Sequence, residues 1–292
     1  MSKIAIVTDS TACLPKTEVA SMKNVTVVPI TVTIDNTIYR EGIDISDKEF
    51  YARLAKASKL PTTAPPTIQQ MLDTYTSLEK QGYEAIISIH LTAGISDFVN
   101  NLKMAVQSFQ RDNVFVLDSH ITVQAMGYLV RYASYLAKHT LSAEDIVDKV
   151  VHLRNTIDEY FVVDDLKNLV TGGRLTNGAA FAGRLLRIKP ILTLNDECKI
   201  VAIDKIKTMK RALRFLSDAF QKAEAKSKYP LHVMVTGTNN LPEVEKWCEQ
   251  LQLDFPLATF ETGQIGPVVG THVGSNAFAI LWCQEIKEID NY

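Results

Sequence analysis

Hydrophobic and polar positions follow two different periods along the first half of the chain. Short apolar runs, typical of buried strands, recur between longer segments whose apolar residues return every three or four positions, as on one face of a helix. The predicted strands are residues 3–9, 25–34, 84–91 and 113–118. The predicted helices are residues 68–80, 97–109 and 122–138. Strands that alternate with helices predict βαβ units and a parallel sheet.

The helix over residues 68–80 also carries a start signal. Its predicted apolar face consists of Ile68, Met71, Leu72, Tyr75 and Leu78. Thr67 precedes the helix and Gln70 follows three positions later, which is the spacing of a capping box.

Beyond about residue 155 the pattern predicts a mixed α+β arrangement. Strands are expected at 159–166, 190–194, 199–206, 231–237 and 257–263 and in the stretch after His272, and helices at 209–227 and 242–251. The glycine-rich stretch 171–178 is expected to be a loop, and Asn195-Asp196 a turn. The change of pattern predicts two domains, residues 1–157 and 158–292.

Composition narrows the function. Hydrophobic residues make up 46% and charged residues 22%, which is normal for a soluble globular protein. The net charge of -2 leaves no basic surplus for nucleic acid, and no apolar run reaches the roughly 20 residues of a membrane span. The start "MSKIAIVTDS" has no signal-peptide pattern, and the four cysteines are widely spaced. We therefore expect a cytoplasmic protein without a metal site.

The segment "HLTAGISDFVNNL" (90–102) is the first candidate for chemistry. A predicted buried strand ends there, and Thr92, Gly94 and Ser96 follow before a helix begins. Ligands of parallel sheets bind at the carboxyl ends of strands, and a helix N-terminus suits an anion. Ser96 is equally well placed to be an ordinary N-cap.

Two other loops carry polar groups. "LPTTAPPT" (60–67) offers Thr62 and Thr63 on a backbone stiffened by prolines, or it is an ordinary proline-rich loop. "TGGRLTNG" (171–178) lacks the spacing of a phosphate-binding loop. Arg174 within it either pairs with an anion or lies on the surface.

His272 stands in an apolar stretch that looks like a strand. A lone histidine in such a place is more often a satisfied core residue than a ligand. No metal motif and no G-x-S-x-G nucleophile motif accompanies it. If it is functional, a hydrogen bond to a bound oxyanion fits better than hydrolysis.

Several segments together resemble the DegV family over the whole length of the chain. They are "IVTDSTACLP" (6–15), "PTTAPP" (61–66), "IHLTAGIS" (89–96), "DLKNLVTGGRL" (165–175), "LLRIKPILTLND" (185–196) and "GPVVGTHVGS" (266–275). The resemblance implies an α/β fold of two lobes. The N-terminal lobe would be α/β/α with a parallel sheet, and the C-terminal lobe a two-layer α/β structure with a mixed sheet.

The resemblance also implies a ligand. Family members bind one long-chain fatty acid, such as palmitate, stearate or oleate, in a tunnel between the lobes and need no other cofactor. Some present its carboxylate to a fatty acid kinase subunit that forms the acyl phosphate. The family's carboxylate-binding positions correspond to Thr63, Ser96 and His272, with the arginine of its G-G-R motif at Arg174. Thr62, Thr92 and Gly94 flank these positions.

The chain departs from the family pattern at three places. Ala64 and Pro65 replace the usual Ser and Gln, "GSNAFA" (274–279) replaces a glycine-rich end, and Asp97 stands where the family has Gly. The Asp97 carboxylate would repel a bound carboxylate unless it points outwards. Two other interpretations stay open. One is a hydrolase or transferase that uses Ser96, His272 and an acid such as Asp118, and the other is an interaction module without a lipid.

Overall fold

The computed structural model describes residues 3–139, 141–178 and 188–287. The contacts of the chain divide it into two compact units. Unit 1 contains residues 3–31, 64–139, 141–155 and 286–287, and unit 2 contains residues 32–63, 156–178 and 188–285. Residues 32–63 therefore belong with the C-terminal half of the chain. The domain boundary at 157/158 stays a prediction.

The described residues form these strands and helices. The strands are β1 (Ile4–Asp9), β2 (Val25–Val28), β3 (Thr31–Ile34), β4 (Thr37–Arg40), β5 (Thr62–Ala64), β6 (Ala85–His90), β7 (Val114–Asp118), β8 (Asp158–Val162), β9 (Lys189–Leu194), β10 (Ile200–Ile206), β11 (Leu231–Gly237), β12 (Thr259–Gln264) and β13 (Phe278–Gln284). The helices are α1 (Lys16–Ser21), α2 (Asp47–Leu54), α3 (Ile68–Lys80), α4 (Phe98–Ser108), α5 (Val123–Leu136), α6 (Ala143–Arg154), α7 (Lys167–Thr171), α8 (Met209–Glu224), α9 (Leu241–Asp254) and α10 (Pro267–Val273).

Unit 1 is built on a parallel sheet of order β2-β1-β6-β7. Every residue of β1 is buried, as expected for a parallel strand covered on both faces. Ala5 and Val7 of β1 share one apolar cluster with side chains of α3 and α4, while α5 contacts β1 and β6. The predicted parallel sheet is confirmed.

The predicted start of the helix over 68–80 is also confirmed. The Thr67 hydroxyl oxygen accepts a hydrogen bond from Gln70 N, and Gln70 Oε1 accepts one from Thr67 N at 2.7 Å. Both partners lie within one turn of each other, so the signal was readable from sequence.

Unit 2 contains a mixed sheet of order β10-β9-β8-β13-β11-β12. Only β11 and β12 run parallel among these neighbours, and the β9–β10 hairpin turns at the predicted Asn195-Asp196. Helices α8 and α9 pack on this sheet, with Phe220 and Trp247 in a shared apolar cluster. The predicted mixed sheet is confirmed.

The run 25–34 is not one strand. It divides at Pro29 into β2, which pairs with β1, and β3, which belongs to a third sheet of order β4-β3-β5. Proline has no N–H to donate to a ladder, and the next amide, Ile30 N, donates to the Ser10 hydroxyl at 3.0 Å instead. Prolines and side-chain acceptors thus interrupt a segment whose β-branched composition alone predicts a continuous strand.

The strand predicted after His272 is confirmed as β13, but His272 itself does not lie in a strand, because residues 267–273 form helix α10. Pro267 occupies the first turn, where its missing N–H costs nothing, and Gly274 ends the helix with φ of 75°. Helices α2 and α6 were not predicted, although Ser142 and Asp145 form a capping box at the start of α6. Part of the segment "LLRIKPILTLND", residues 185–187, lies outside the described residues.

Within the described ranges, no helix is both long enough and apolar enough to cross a bilayer.

Candidate functional site

Helix α10 carries His272, and two glycines let it pack closely in unit 2. Glu41 Oε1 accepts a hydrogen bond from Val268 N at 2.7 Å, and a Cβ on Gly266 would lie 2.5 Å from that oxygen. The Tyr51 hydroxyl donates to Ile265 O at 2.8 Å, and a Cβ on Gly270 would collide with it. These glycines are required for space, which sets the position of the helix and hence of His272.

The imidazole of His272 meets the side chain of Thr63. Thr63 Oγ1 and His272 Nε2 are 3.0 Å apart, although the residues are separated by 209 positions. Alternation along β5 leaves Thr63 half-buried and its neighbour Thr62 exposed. Two of the predicted site residues are therefore in direct contact.

The other side of the ring faces the turn after α7. Gly173 lies at φ of 69°, Gly173 N donates to Val170 O and Arg174 N donates to Leu169 O, which together form a Schellman cap. A Cβ on the preceding Gly172 would lie 2.9 Å from His272 Nδ1. The two glycines of "TGGR" are thus required for different reasons. Gly173 adopts a backbone conformation with positive φ, and Gly172 leaves space for the imidazole of His272.

Burial, together with the smaller effect of the positive charge of Arg174, lowers the pKa of His272 to about 4. The ring is therefore neutral at pH 7, with one nitrogen as donor and the other as acceptor. Its Nδ1 atom is buried and has no hydrogen-bond partner among the described residues. Arg174 is held in place because its Nη1 donates to Gly172 O at 2.5 Å.

The predicted loop after β6 lies in unit 1 and is fixed by its backbone. Thr92 is buried, and its Oγ1 accepts a hydrogen bond from Gly94 N at 3.1 Å. Ala93 N donates to Asp118 Oδ2 at 3.1 Å. Thr92 and Gly94 therefore shape the loop that carries Ser96.

Ser96 is not the N-cap of the helix that follows. The N-cap of α4 is Asp97, and the Ser96 hydroxyl oxygen accepts a long hydrogen bond of 3.4 Å from Phe98 N. Ser96 is half-buried and Asp97 is exposed, so the Asp97 carboxylate points to solvent. This orientation removes the expected repulsion by Asp97.

The seven predicted site residues thus fall into two groups. Unit 2 holds Thr62, Thr63, Arg174 and His272, and unit 1 holds Thr92, Gly94 and Ser96. The sequence analysis did not identify two residues that position His272. Gly172 leaves space beside the imidazole, and Asn168 Nδ2 donates to Thr271 O at 3.0 Å. Only the paired glycines of "TGGR" hinted at them.

A pocket of about 370 Å³ lies in unit 2 next to helix α7 and the C-terminal end of α10. It is lined by residues from 54–60, 164–171 and 273–276, among them Lys59, Asp165 and Lys167. Charged side chains do not provide the dry lining that an acyl chain needs. The pocket is better suited to water or a polar group.

The side chains of Ser96, His272 and Asp118, considered above as a catalytic combination, form hydrogen bonds to other groups. His272 Nε2 is bonded to Thr63, and the Asp118 carboxylate accepts from Ala93 N and His120 N. Within the described residues, no group of three or more His, Cys, Asp and Glu side chains is arranged to hold a metal ion.

Comparison with known proteins agrees with the fold. The sequence model of the DegV family, described as uncharacterised proteins, matches residues 3–285. The chain belongs to the DegV family. A DegV domain-containing protein of Listeria monocytogenes is 39% identical over 280 residues, which cover 96% of this chain and 98% of the relative.

Two solved DegV structures are similar throughout. That of DegV from Bacillus subtilis, described as a fatty acid binding protein, has a TM-score of 0.87 at 36% identity and covers 98% of this chain and 100% of its own. That of a fatty acid binding DegV family protein from Streptococcus agalactiae has a TM-score of 0.89 at 31% identity with the same coverage. The predicted DegV-like fold is confirmed.

Proposed function

We propose that this DegV protein binds one long-chain fatty acid and that Thr63 and His272 hold its carboxylate. The observation that carries the proposal is the 3.0 Å contact between Thr63 Oγ1 and a neutral His272. The two similar proteins described as fatty acid binding support the class of ligand.

The position of the proton on the neutral His272 ring decides which member of the Thr63–His272 hydrogen bond is the donor. If Nδ1 carried the proton, a buried N–H would be left without an acceptor. We therefore assign the proton to Nε2, which donates it to Thr63 Oγ1. The Thr63 hydroxyl then donates its own proton to the ligand carboxylate.

Further details of the site belong to the same proposal. Ser96 supplies a second hydroxyl, Thr92 and Gly94 keep its loop in shape, and Thr62 and Arg174 flank the head group. The acyl chain occupies an apolar tunnel, where each buried CH₂ gains about 0.8 kcal/mol. The carboxylate is presented in the cytoplasm to a fatty acid kinase subunit. Palmitate, stearate and oleate are the expected ligands.

Extraction of the purified protein under denaturing conditions, followed by mass spectrometry, tests the proposal. We expect close to one acyl chain per protein, and delipidated protein should take up added palmitate. Absence of a stoichiometric acyl chain together with failed uptake of palmitate would show that the ligand class is wrong.

A further inference from the structure

Unit 1 contains a continuous chain of hydrogen bonds that is buried from end to end. The Tyr75 hydroxyl lies 2.8 Å from Ser88 Oγ, Ser88 Oγ lies 2.7 Å from His90 Nε2, and His90 Nδ1 lies 2.9 Å from Asp9 Oδ2. All four side chains have a relative exposure of 0%. The chain links helix α3 to the carboxyl ends of β6 and β1.

The order Ser-His-Asp is that of a hydrolase triad, but Ser88 is closed to any substrate. Its hydroxyl has His90 on one side and Tyr75 on the other, and no part of the residue is exposed. A buried polar chain without access to substrate is expected to have a positioning role instead.

The hydrogen-bond partners of each group decide which atom donates and which accepts along this chain. Within the described residues, Ser88 Oγ is the one partner of the Tyr75 hydroxyl. Burial raises the pKa of Tyr75, so the phenol keeps its proton and donates it to Ser88. Ser88 then donates to His90 Nε2, and His90 donates from Nδ1 to the Asp9 carboxylate. In this direction every proton in the chain has an acceptor.

The Asp9 carboxylate connects this chain of hydrogen bonds to backbone N–H groups. Its Oδ2 also accepts from Leu91 N at 3.2 Å, and its Oδ1 accepts from Thr11 N at 3.0 Å and from Thr11 Oγ1 at 2.5 Å. Leu91 is the first residue of the loop that leads to Ser96, and Ala93 of that loop is held by Asp118. Carboxylates from the strands on both sides of β6 thus fix the loop.

We propose that the buried Tyr75–Ser88–His90–Asp9 chain positions the Leu91–Ser96 loop by holding the Asp9 carboxylate on Leu91 N. The importance of this loop for a fatty acid rests on the proposed function, whereas the positioning itself is a property of the ligand-free protein. Tyr75, Ser88, His90 and Asp9 are therefore positioning residues, and the segments "VTDS" (7–10) and "SIHL" (88–91) do not reveal this role by themselves.

Nitrogen-15 NMR of ligand-free protein and amide hydrogen exchange test the proposal. We expect neutral His90 to carry its proton on Nδ1. In Asp9→Asn the charge is lost, and exchange at Leu91 N should become faster by about tenfold or more, as expected for weakening a hydrogen bond to a charged group. The affinity for palmitate should fall in the same variant.

Tyr83→Phe is the matched control, because it removes another partly buried hydrogen bond of the same unit, which the Tyr83 hydroxyl donates to Lys23 O at 3.1 Å. It should leave exchange at Leu91 and the His90 proton unchanged. If Asp9→Asn does not fold, Ser88→Ala interrupts the chain with Asp9 intact, and exchange at Leu91 should rise by about threefold or more.

A proton on His90 Nε2 in the neutral ring, or unchanged exchange at Leu91 in the folded variants, would overturn the positioning role. If the wild-type protein binds no fatty acid, the proposed function fails, while the ligand-free measurements still decide the role of the chain.

Discussion

At His272 the properties of one imidazole depend on three neighbours. Thr63 is bonded to Nε2, Gly172 leaves space beside Nδ1, and the charge of Arg174 together with burial lowers the pKa to about 4. The sequence predicted that His272 would be either a core residue or a ligand-binding residue. In the structure it is largely buried and also bonded to a predicted ligand-binding threonine.

The substitution Thr63→Val should weaken palmitate binding. Valine keeps the shape of threonine but lacks the proposed donor, and a hydrogen bond to a charged group is worth roughly 1.5–3 kcal/mol, or about tenfold or more in affinity. Isothermal titration of delipidated protein measures the effect. Thr37→Val, at an exposed position of β4 outside the proposed site, is the control and should bind like the wild type. Equal affinities of the two variants would contradict the assignment of the head group.

His272→Gln should flatten the dependence of stability on pH. The folded-state pKa of about 4 lies below the ordinary value of 6.5. Between pH 6.5 and 4 only the unfolded state binds the proton, so His272 destabilises the protein as pH falls through this window. A shift of this size corresponds to at most about 3 kcal/mol.

Urea unfolding of ligand-free protein at several pH values measures this difference. The wild type should lose stability relative to His272→Gln between pH 7 and 4, and should match it in slope above pH 7. Parallel profiles across the window would show that the histidine is not buried in its neutral form.

Among the elements, the short helix α7 and its turn show how backbone and side-chain requirements combine. The Schellman cap needs a residue with positive φ at Gly173, while the ring of His272 needs the space at Gly172. Sequence alone predicted a glycine-rich loop here. It did not distinguish the two glycines, because only one of the requirements is local.

Gly172→Ala and Gly173→Ala should therefore have different effects. A Cβ at residue 172 would displace the His272 ring and separate it from Thr63, so palmitate affinity should fall by about tenfold. A Cβ at residue 173 meets open space, and its left-handed backbone should cost about 1–2 kcal/mol of stability. Binding and thermal unfolding of both variants separate the effects. A binding loss confined to Gly173→Ala would contradict this explanation.

At the scale of the whole molecule, a ligand that binds only the folded state must stabilise it. Palmitate at 100 times its dissociation constant should add about 2.7 kcal/mol to the free energy of unfolding. Thermal unfolding of delipidated protein should therefore shift to higher temperature with increasing palmitate. Hexadecanol, which has the same chain length but no carboxylate, should give a smaller shift. Equal shifts would show that the carboxylate is not recognised.

The sequence by itself determined the features that depend on neighbours within a few positions. The period of apolar residues placed α3 and most strands of the parallel and the six-stranded sheets, and Thr67 and Gln70 marked a helix start because they lie in one turn. The family segments indicated the fold as a whole. Helix α10 was mistaken for a strand because β-branched residues and glycines in its sequence obscured the helical period.

Only the tertiary structure decided which distant residues meet. Thr63 and His272 are 209 positions apart, and Asp9 and His90 are 81 positions apart, so no local period relates either pair. Their contacts arise from the packing of α10 beside Glu41 and Tyr51 in unit 2 and from the register of β1 and β6 in unit 1. The lowered pKa of His272 is decided in the same way, because burial and the charge of Arg174 exist only once the chain is folded.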